Sequence, residues 1–314
     1  MAANNDENVA MLMSMGFDRD QAAQALSDCG SLERAIDSLL SGSVVGGGVN
    51  SNQYDDVTNA AAQSNGDERA VHSEMSQYSD SLGRSACTSI ALTMACNLLN
   101  MATINPEGVI DSSFLSNSIL EGIKMYNDLS SSNSNGVEHS SIEELLSACH
   151  SADSNNSTAK QIISSLKQFN FSPRQGILSN SSDNPMGLEA VLSQCQADAT
   201  DSESYIAVVI TKPPETVLVL LPPRGHSSST YILLDSHPRP QQLSPHHPSG
   251  SYALFHSTLS SLVASIKQIF PVTELGSDVP EMMAMMYNSF DVYPFQYQCL
   301  QSTATAPATA ATNK

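Results

Sequence analysis

The sequence of 314 residues is poor in charged side chains, and basic ones are especially scarce. Charged residues make up 14%, against about 25% in an average domain, and 13 Lys and Arg stand against 32 Asp and Glu. The formal net charge is −19, and no cluster of Lys and Arg occurs. Because nucleic acid and anionic membranes repel such a chain, we expect neither as a partner and instead expect a neutral or basic one.

The sequence also lacks metal-binding cysteine patterns, a leader-like start and long apolar runs. Its six cysteines form no CxxC pair and its histidines no zinc-ligand spacing, so we expect reduced thiols, no metal and no cofactor. The first ten residues lack the basic and apolar parts of a signal peptide, and apolar runs such as 216–221 fall far short of a membrane span of about 20 residues. We therefore expect a monomer in the cytoplasm, with the nucleus as a further location.

Changes in composition along the chain predict two folded units joined by a linker. Apolar side chains at helical spacing predict a bundle of three short helices over residues 5–42. Gly, Ser and Asn dominate residues 43–70, as in a flexible linker, and the low-complexity segment 301–314 is predicted to be disordered. The larger unit spans about residues 71–300.

The larger unit is predicted to be helical in its first half and to form strands in its second. Helices followed by an antiparallel sheet are typical of an α+β fold. The predicted helices are 87–100, 112–129, 141–151, 159–169, 185–196 and 258–270. The predicted strands, rich in β-branched residues, are 204–212, 216–221, 229–235, 251–255 and 290–299.

The three-helix unit contains the loop Met15-Gly16-Phe17 and ends in the pair Leu39-Leu40. Gly16 allows a tight turn, and an exposed Met15 beside the two leucines would form a small apolar patch suited to a partner. These features resemble a ubiquitin-associated domain, and the resemblance implies that all five residues belong to a ubiquitin-binding surface. The alternative is a generic three-helix bundle with Phe17 in its core.

The run GRSACTSIALTMACNLL, residues 83–99, places Cys87 at or near the N-terminus of a helix. At this position free backbone N–H groups and the helix dipole stabilise a thiolate and can also meet an oxyanion. Papain-like proteases hold their nucleophile in such a place. The alternative is a small buried core residue, which is our interpretation of Cys96 in the same helix.

A second motif, YILLDSHPRP at residues 231–240, ends a hydrophobic strand in Asp235-Ser236-His237. Residues i and i+2 of a strand point to the same side, so Asp235 can orient the imidazole of His237. A cysteine at a helix start, followed 150 residues later by this pair, suggests nucleophilic catalysis by a triad. The alternative is a solvated turn at the end of the strand.

Taken together, these motifs resemble those of the viral tegument-type deubiquitinases, papain-like cysteine peptidases first described in herpesvirus large tegument proteins. The resemblance is carried by GRSACTSIAL around Cys87 and by LLDSHPRP, followed by GSYALFHSTLSSLVASI at residues 250–266. It spans about residues 71–270.

This resemblance implies a role for each residue of the site. Cys87 would be the nucleophile, His237 the general base and Asp235 the acid that orients it. The family also has an upstream glutamine that donates to the oxyanion, for which Gln77 is the candidate, although a surface polar residue is the other interpretation. The implied reaction is hydrolysis of the (iso)peptide bond after the C-terminal Gly of ubiquitin, with ubiquitin and polyubiquitin chains as partners and no cofactor.

Two other functions stay open at this point. One is a non-catalytic ubiquitin-binding adaptor whose peptidase domain has decayed. The other is a peptidase for a different ubiquitin-like modifier, whose family also uses Asp-x-His but usually with Pro between the two. Ser236 in that position favours the tegument type.

Overall fold

The computed structural model describes the chain in segments that belong to two compact units, residues 1–64 and residues 65–314. The described residues are 8–9, 19–29, 35, 69–101, 105–130, 141–148, 158–166, 169–181, 183–199, 204–224, 230–243, 245–276 and 279–297.

The first unit contains helix α1, Arg19–Cys29, close to the predicted second helix. Its buried residues form a small core with Ala35, and they are Ala22, Ala25 and Leu26. Apart from residues 8–9 and 35, the predicted first and third helices lie outside the described residues. The same is true of the predicted ubiquitin-binding residues Met15, Gly16, Phe17, Leu39 and Leu40.

The second unit is built around an antiparallel sheet. Its strands are β1 (Ala70–His72), β2 (Phe169–Phe171), β3 (Arg174–Ile177), β4 (Ile206–Lys212), β5 (Glu215–Leu221), β6 (Tyr231–Asp235), β7 (Tyr252–His256) and β8 (Ser289–Tyr297). They run in the order β1-β7-β6-β5-β4-β8-β2, and β3 also pairs with β8. The predicted α+β arrangement, a helical half followed by an antiparallel sheet, is confirmed.

The helices of the second unit cover both faces of the sheet. They are α2 (Cys87–Asn100), α3 (Pro106–Val109), α4 (Ser112–Ser130), α5 (Ile142–Ala148), α6 (Thr158–Leu166), α7 (Leu188–Ala197), α8 (Leu259–Ile269) and α9 (Glu281–Tyr287). Helices α2, α4, α5 and α6 contribute to the core on one face. Helices α7 and α8 contribute to the core on the other.

The central strands are apolar at nearly every position because both faces of the sheet are covered. In β4, for example, Val208 packs in one core and Val209 in the other, and both are fully buried. A strand buried on both sides needs no alternation of apolar and polar residues. This burial explains the continuous apolar runs that predict these strands.

The structure corrects the predicted secondary structure where segments are short. The predicted helix 159–169 ends at Leu166, because Phe169 instead begins β2 and pairs with Tyr297 of β8. Strands β1 and β3 have no predicted counterpart, since three or four residues show no period and each pairs with a strand distant in sequence. Helix α9 has none either, because its sequence EMMAMMY is apolar on all sides and lacks a helical pattern.

Candidate active site

The thiol of Cys87 lies at the N-terminus of α2, in the first turn of a helix that is almost entirely buried. No side chain caps this end, so backbone N–H groups of the first turn point toward the thiol region with the positive end of the helix dipole. Gly83 makes the turn before the helix possible, because an added Cβ would lie 2.3 Å from the carbonyl oxygen of Gln77. The glycine therefore lets the segment of Gln77 pack directly against the approach to Cys87.

Asp235 and His237 lie at the end of β6, beside this helix N-terminus. His237 Nδ1 is 2.6 Å from Asp235 Oδ1, and the backbone N–H of His237 donates to the same oxygen over 2.9 Å. The side chain of Cys87 also interacts with the imidazole and contributes to its raised pKa. With Nδ1 engaged by the acid, Nε2 is the ring nitrogen available to the thiol. The structure thus brings together three of the predicted site residues, each at most 3% exposed.

The charges of this pair reinforce each other. Burial alone would lower the pKa of His237, but the charge and hydrogen bond of Asp235 outweigh it and raise that pKa to about 10. Burial would likewise raise the pKa of Asp235, but Arg239 and His237 hold it well below its usual range.

Arg239 supports the acid from the side opposite the imidazole. Its Nε donates to Asp235 Oδ2 over 2.9 Å, and the hydroxyl of Tyr252 donates to the same oxygen over 3.1 Å. The other end of the guanidinium donates to both carboxylate oxygens of Glu215, over 2.7 and 3.3 Å. Both carboxylate oxygens of Asp235 therefore have hydrogen-bond partners, as a buried carboxylate requires.

Gln77 is buried next to the pair and holds the segment before Cys87 against the end of β6. Its Oε1 accepts from the Ser236 hydroxyl over 2.8 Å, and its backbone N–H donates to the Ser236 carbonyl over 3.1 Å. Its Nε2 donates to the Arg84 carbonyl over 3.1 Å. At 1% exposure it is not a surface polar residue, so that interpretation is wrong. A primary amide carries a second N–H, which is the group an oxyanion donor needs.

Two further residues, which the sequence reasoning did not single out, close the site. The carbonyl oxygen of Pro214, in the turn between β4 and β5, lies 3.7 Å from Cys87 Sγ. Tyr78 packs the edge of its half-exposed ring against His237, with 5.9 Å between ring centroids. Burial of its hydroxyl, together with the charge of Glu215, raises the pKa of Tyr78 to about 12. No sequence motif marks either residue, because both reach the site through contacts between distant segments.

Cys96 and Cys195 are buried elsewhere in the second unit, and all four described cysteines, Cys29, Cys87, Cys96 and Cys195, are free thiols. Burial raises the pKa of Cys96 and raises that of Cys195 to about 11, so both are protonated at neutral pH. Among the described residues, His, Cys, Asp and Glu form no group of three that could hold a metal ion. Within the same residues no helix combines the length and apolarity needed to cross a membrane.

Comparison with known proteins gives a family match for the first unit and a similarity to solved structures. Residues 4–39 match the family model of the UBA/TS-N domain, which confirms the resemblance predicted for the first unit. No curated protein matches the chain. Among solved structures, the chain is similar to the ubiquitin-specific protease encoded by the murine cytomegalovirus tegument protein M48, determined in complex with a ubiquitin-based suicide substrate. The two are 12% identical with a TM-score of 0.46, over 76% of this chain and 90% of that one.

Proposed function

We propose that this protein is a cysteine-type deubiquitinase, which hydrolyses the (iso)peptide bond after the C-terminal Gly of ubiquitin. The observation that carries the proposal is the line of contacts from Cys87 through His237 to Asp235. A thiol at a helix N-terminus, an imidazole and a buried acid on the far ring nitrogen are what nucleophilic catalysis requires. The UBA/TS-N match of residues 4–39 supports ubiquitin as the partner.

In the proposed reaction, Cys87 Sγ attacks the carbonyl carbon of that Gly while its proton resides on His237. The C–N bond then breaks, and His237 Nε2 passes the proton to the departing amine. A water molecule then gives a proton to His237 and attacks the thioester carbonyl, and the C–S bond breaks as His237 returns a proton to the Cys87 sulfur. The new carboxylic acid loses its proton to water. The products are the ubiquitin carboxylate and the free Cys87 thiol, so no cofactor takes part.

The tetrahedral intermediates of this reaction carry a negative oxygen that needs donors. We propose the backbone N–H of Cys87 and the side-chain amide of Gln77 for this role. The support is that Cys87 begins α2, where N–H groups are free of helical partners, and that Gln77 is held by Ser236 and Arg84. A donor fixed in advance stabilises the intermediate without a cost of reorganisation at the moment of reaction.

The proposal extends to the two-unit organisation. We propose that residues 5–42 supply a second ubiquitin-binding site and that the linker 43–70 lets both units engage one chain of ubiquitins. The net charge of −19 suits the basic tail of ubiquitin. The free thiols of the described cysteines support a reducing compartment, the cytoplasm, as the place of action.

One observation favours a second candidate, a non-catalytic ubiquitin-binding adaptor. Cys87 is 3% exposed, and the Pro214 carbonyl lies against its sulfur, so the thiol is covered. For catalysis the sulfur must become accessible to a substrate carbonyl, and the turn between β4 and β5 is a segment in contact with it. An adaptor would keep this closed state permanently, whereas an enzyme would open it when the ubiquitin tail binds.

The test is reaction of the full chain with ubiquitin that carries a C-terminal electrophile. We expect a covalent adduct of one ubiquitin per chain, mapped by peptide mass spectrometry to Cys87. Cys87→Ala should abolish the adduct, and the matched control Cys195→Ala should leave it unchanged, because Cys195 is buried away from the site.

The outcomes of this experiment separate the candidates. If neither the ubiquitin probe nor any probe of another modifier forms an adduct, the enzyme is ruled out and the non-catalytic adaptor is the remaining candidate. An adduct with a different ubiquitin-like probe but not with ubiquitin would identify a peptidase for that modifier. An adduct on a residue other than Cys87 would overturn the proposed site.

A further inference from the structure

Helix α9 exposes an unusual concentration of large apolar side chains, which we name the methionine surface. Five of its seven residues are large, apolar and 44–75% exposed, and no residue of the helix is buried. Soluble proteins rarely leave such a cluster uncovered unless it binds something. Methionine adapts its shape to a partner, which makes it common at binding surfaces. The residues are Met282, Met283, Met285, Met286 and Tyr287.

The helix is held in place at its C-terminal end. Asn288 is buried, and its side-chain amide donates to the carbonyls of Ala284 and Thr273 over 3.0 Å each. Its side-chain oxygen accepts from the backbone N–H of Thr273 over 2.7 Å. These bonds tie the last turn of α9 to the segment that follows α8. The methionine surface is therefore anchored while its apolar side chains face outward.

The methionine surface lies at the same end of the sheet as Cys87. Strand β8 begins one residue after Asn288, and its Asp291 pairs with Thr211 of β4. The next residue of β4 leads into the turn whose Pro214 carbonyl touches Cys87 Sγ. Neighbouring strands are about 4.8 Å apart, so the start of β8, which directly follows α9, lies about one strand spacing from that turn.

This position constrains what approaches the surface. An extended chain advances about 3.3–3.6 Å per residue, so a short tail that ends at Cys87 keeps the attached folded body close to the thiol. That body then lies at the end of the sheet that carries Cys87. Glu281 begins α9, and Glu274 follows Thr273, which is bonded to Asn288 at the end of α9. Both carboxylates are exposed, so a matching partner presents an apolar patch with basic side chains beside it.

We propose that the methionine surface docks the folded body of the ubiquitin whose C-terminal tail enters the Cys87 site. The inference rests on the proposed function and adds the surface on which that substrate is recognised. Docking supplies binding energy that is the same in the ground state and in the transition state. Its loss therefore raises KM and leaves kcat unchanged.

The experiment compares full-chain variants on a ubiquitin–fluorophore reporter. The double substitution Met282→Gln/Met286→Gln removes the two most exposed side chains of the methionine surface without adding charge. The matched control is Met101→Gln, since Met101 is 37% exposed but follows the far end of α2, about 20 Å from Cys87. We expect the double variant to raise KM about tenfold with kcat within about twofold of wild type, and the control to change neither.

A charge variant tests the chemistry of the partner. Met286→Lys should raise KM more than Met286→Glu, because a lysine repels basic side chains that a glutamate attracts. Because all these side chains are exposed, the midpoint of thermal unfolding should stay at the wild-type value, which excludes misfolding as the cause. The reverse order of the two charge variants would overturn the basic character of the partner.

Each remaining outcome decides the inference. If wild type turns over the reporter and the double variant has the same KM, the docking surface is wrong while the deubiquitinase stands. If wild type gives neither turnover nor a covalent adduct, the proposed function fails and the docking inference fails with it. If sedimentation shows that wild type self-associates and the double variant does not, the occupant is a second copy of this chain and the inference is overturned.

Discussion

Arg239 and Asp235 form a buried ion pair, with 2.9 Å between Arg239 Nε and Asp235 Oδ2 and at most 5% exposure of either residue. The same guanidinium reaches Glu215 at the start of β5. The acid that orients His237 is thus tied to the turn between β4 and β5, whose Pro214 carbonyl lies against Cys87. Arg239 therefore links Asp235, the hydrogen-bond partner of His237, to the turn that contacts the thiol of Cys87.

Removing the buried cation should damage the fold more than removing its outer partner. Arg239→Met leaves the Asp235 charge buried without its cation, so we expect a loss of about 3–5 kcal/mol in the free energy of unfolding. The Glu215 side chain is partly exposed, and Glu215→Gln keeps a hydrogen-bond acceptor, so its loss should stay below about 2 kcal/mol. Denaturant titration measures both. Equal losses would show that Asp235 does not depend on Arg239.

The His237–Asp235 pair should make stability depend on pH in a defined window. The folded pKa of His237 lies above its ordinary value of 6.5, so its contribution is complete below pH 6.5 and is lost as pH rises through about 10. The folded pKa of Asp235 is depressed, so its contribution is complete above the ordinary value of 3.8 and is lost as pH falls below it. The pair thus stabilises the fold most between about pH 4 and 6.5.

The measurement is the difference in unfolding free energy between wild type and His237→Gln from pH 5 to pH 10. We expect this difference to shrink steadily above pH 6.5. Glu281→Gln, on the exposed side of α9, serves as a control that removes a charge elsewhere. A difference that stayed constant or grew with pH would contradict the direction of the His237 shift.

Cys87→Ala should abolish hydrolysis of a ubiquitin–fluorophore reporter while the variant still binds ubiquitin. The physical reason is that the Cys87 sulfur is the bond-forming atom of the proposed reaction, whereas binding depends on surfaces that the substitution leaves intact. Cys96→Ala and Cys195→Ala are the controls, because burial raises the pKa of both thiols and keeps them protonated. Turnover by Cys87→Ala near the wild-type rate would identify a different nucleophile.

Gln77 allows a comparison of a direct role with a supporting one. If its amide meets the oxyanion, Gln77→Ala should lower kcat about 10²–10³-fold with KM nearly unchanged. Ser236→Ala is the matched control, because it removes the 2.8 Å bond to Gln77 Oε1 but keeps the amide donor. We expect it to cost less than about tenfold in kcat. Equal losses in the two variants would assign Gln77 a positioning role only.

The sequence was most informative where a structural rule acts over a few neighbouring residues. Cys87 at a helix start and Asp235 two residues before His237 are local patterns, and the structure has α2 begin at Cys87. The sequence did not predict that Glu215 and Tyr78 belong to the site, because each reaches it through packing between distant segments. Whether Gln77 was buried depended on the same long-range packing, through Ser236.

The sequence was least informative about surfaces. The apolar run at 281–287 has the composition of a core segment, and only the structure reveals that no residue of α9 is buried. The sequence likewise does not predict strands β1 and β3, because they pair with β7 and β8, which lie more than 100 residues away in the chain. Composition and periodicity describe which residues are apolar, but exposure follows from how the elements pack.

Deletion of residues 1–45 should weaken cleavage of ubiquitin chains more than cleavage of a mono-ubiquitin reporter. Residues 4–39 match the UBA/TS-N domain, and a tethered second site acts by raising the local concentration of substrate rather than by chemistry. We expect the ratio of chain cleavage to reporter cleavage to fall about tenfold, with the reporter rate unchanged. Leu40→Asp in the full chain is the matched point variant, because Leu40 belongs to the predicted ubiquitin-binding patch. A ratio that neither change alters would mean that the first unit serves another partner and that the two units do not act together on one ubiquitin chain.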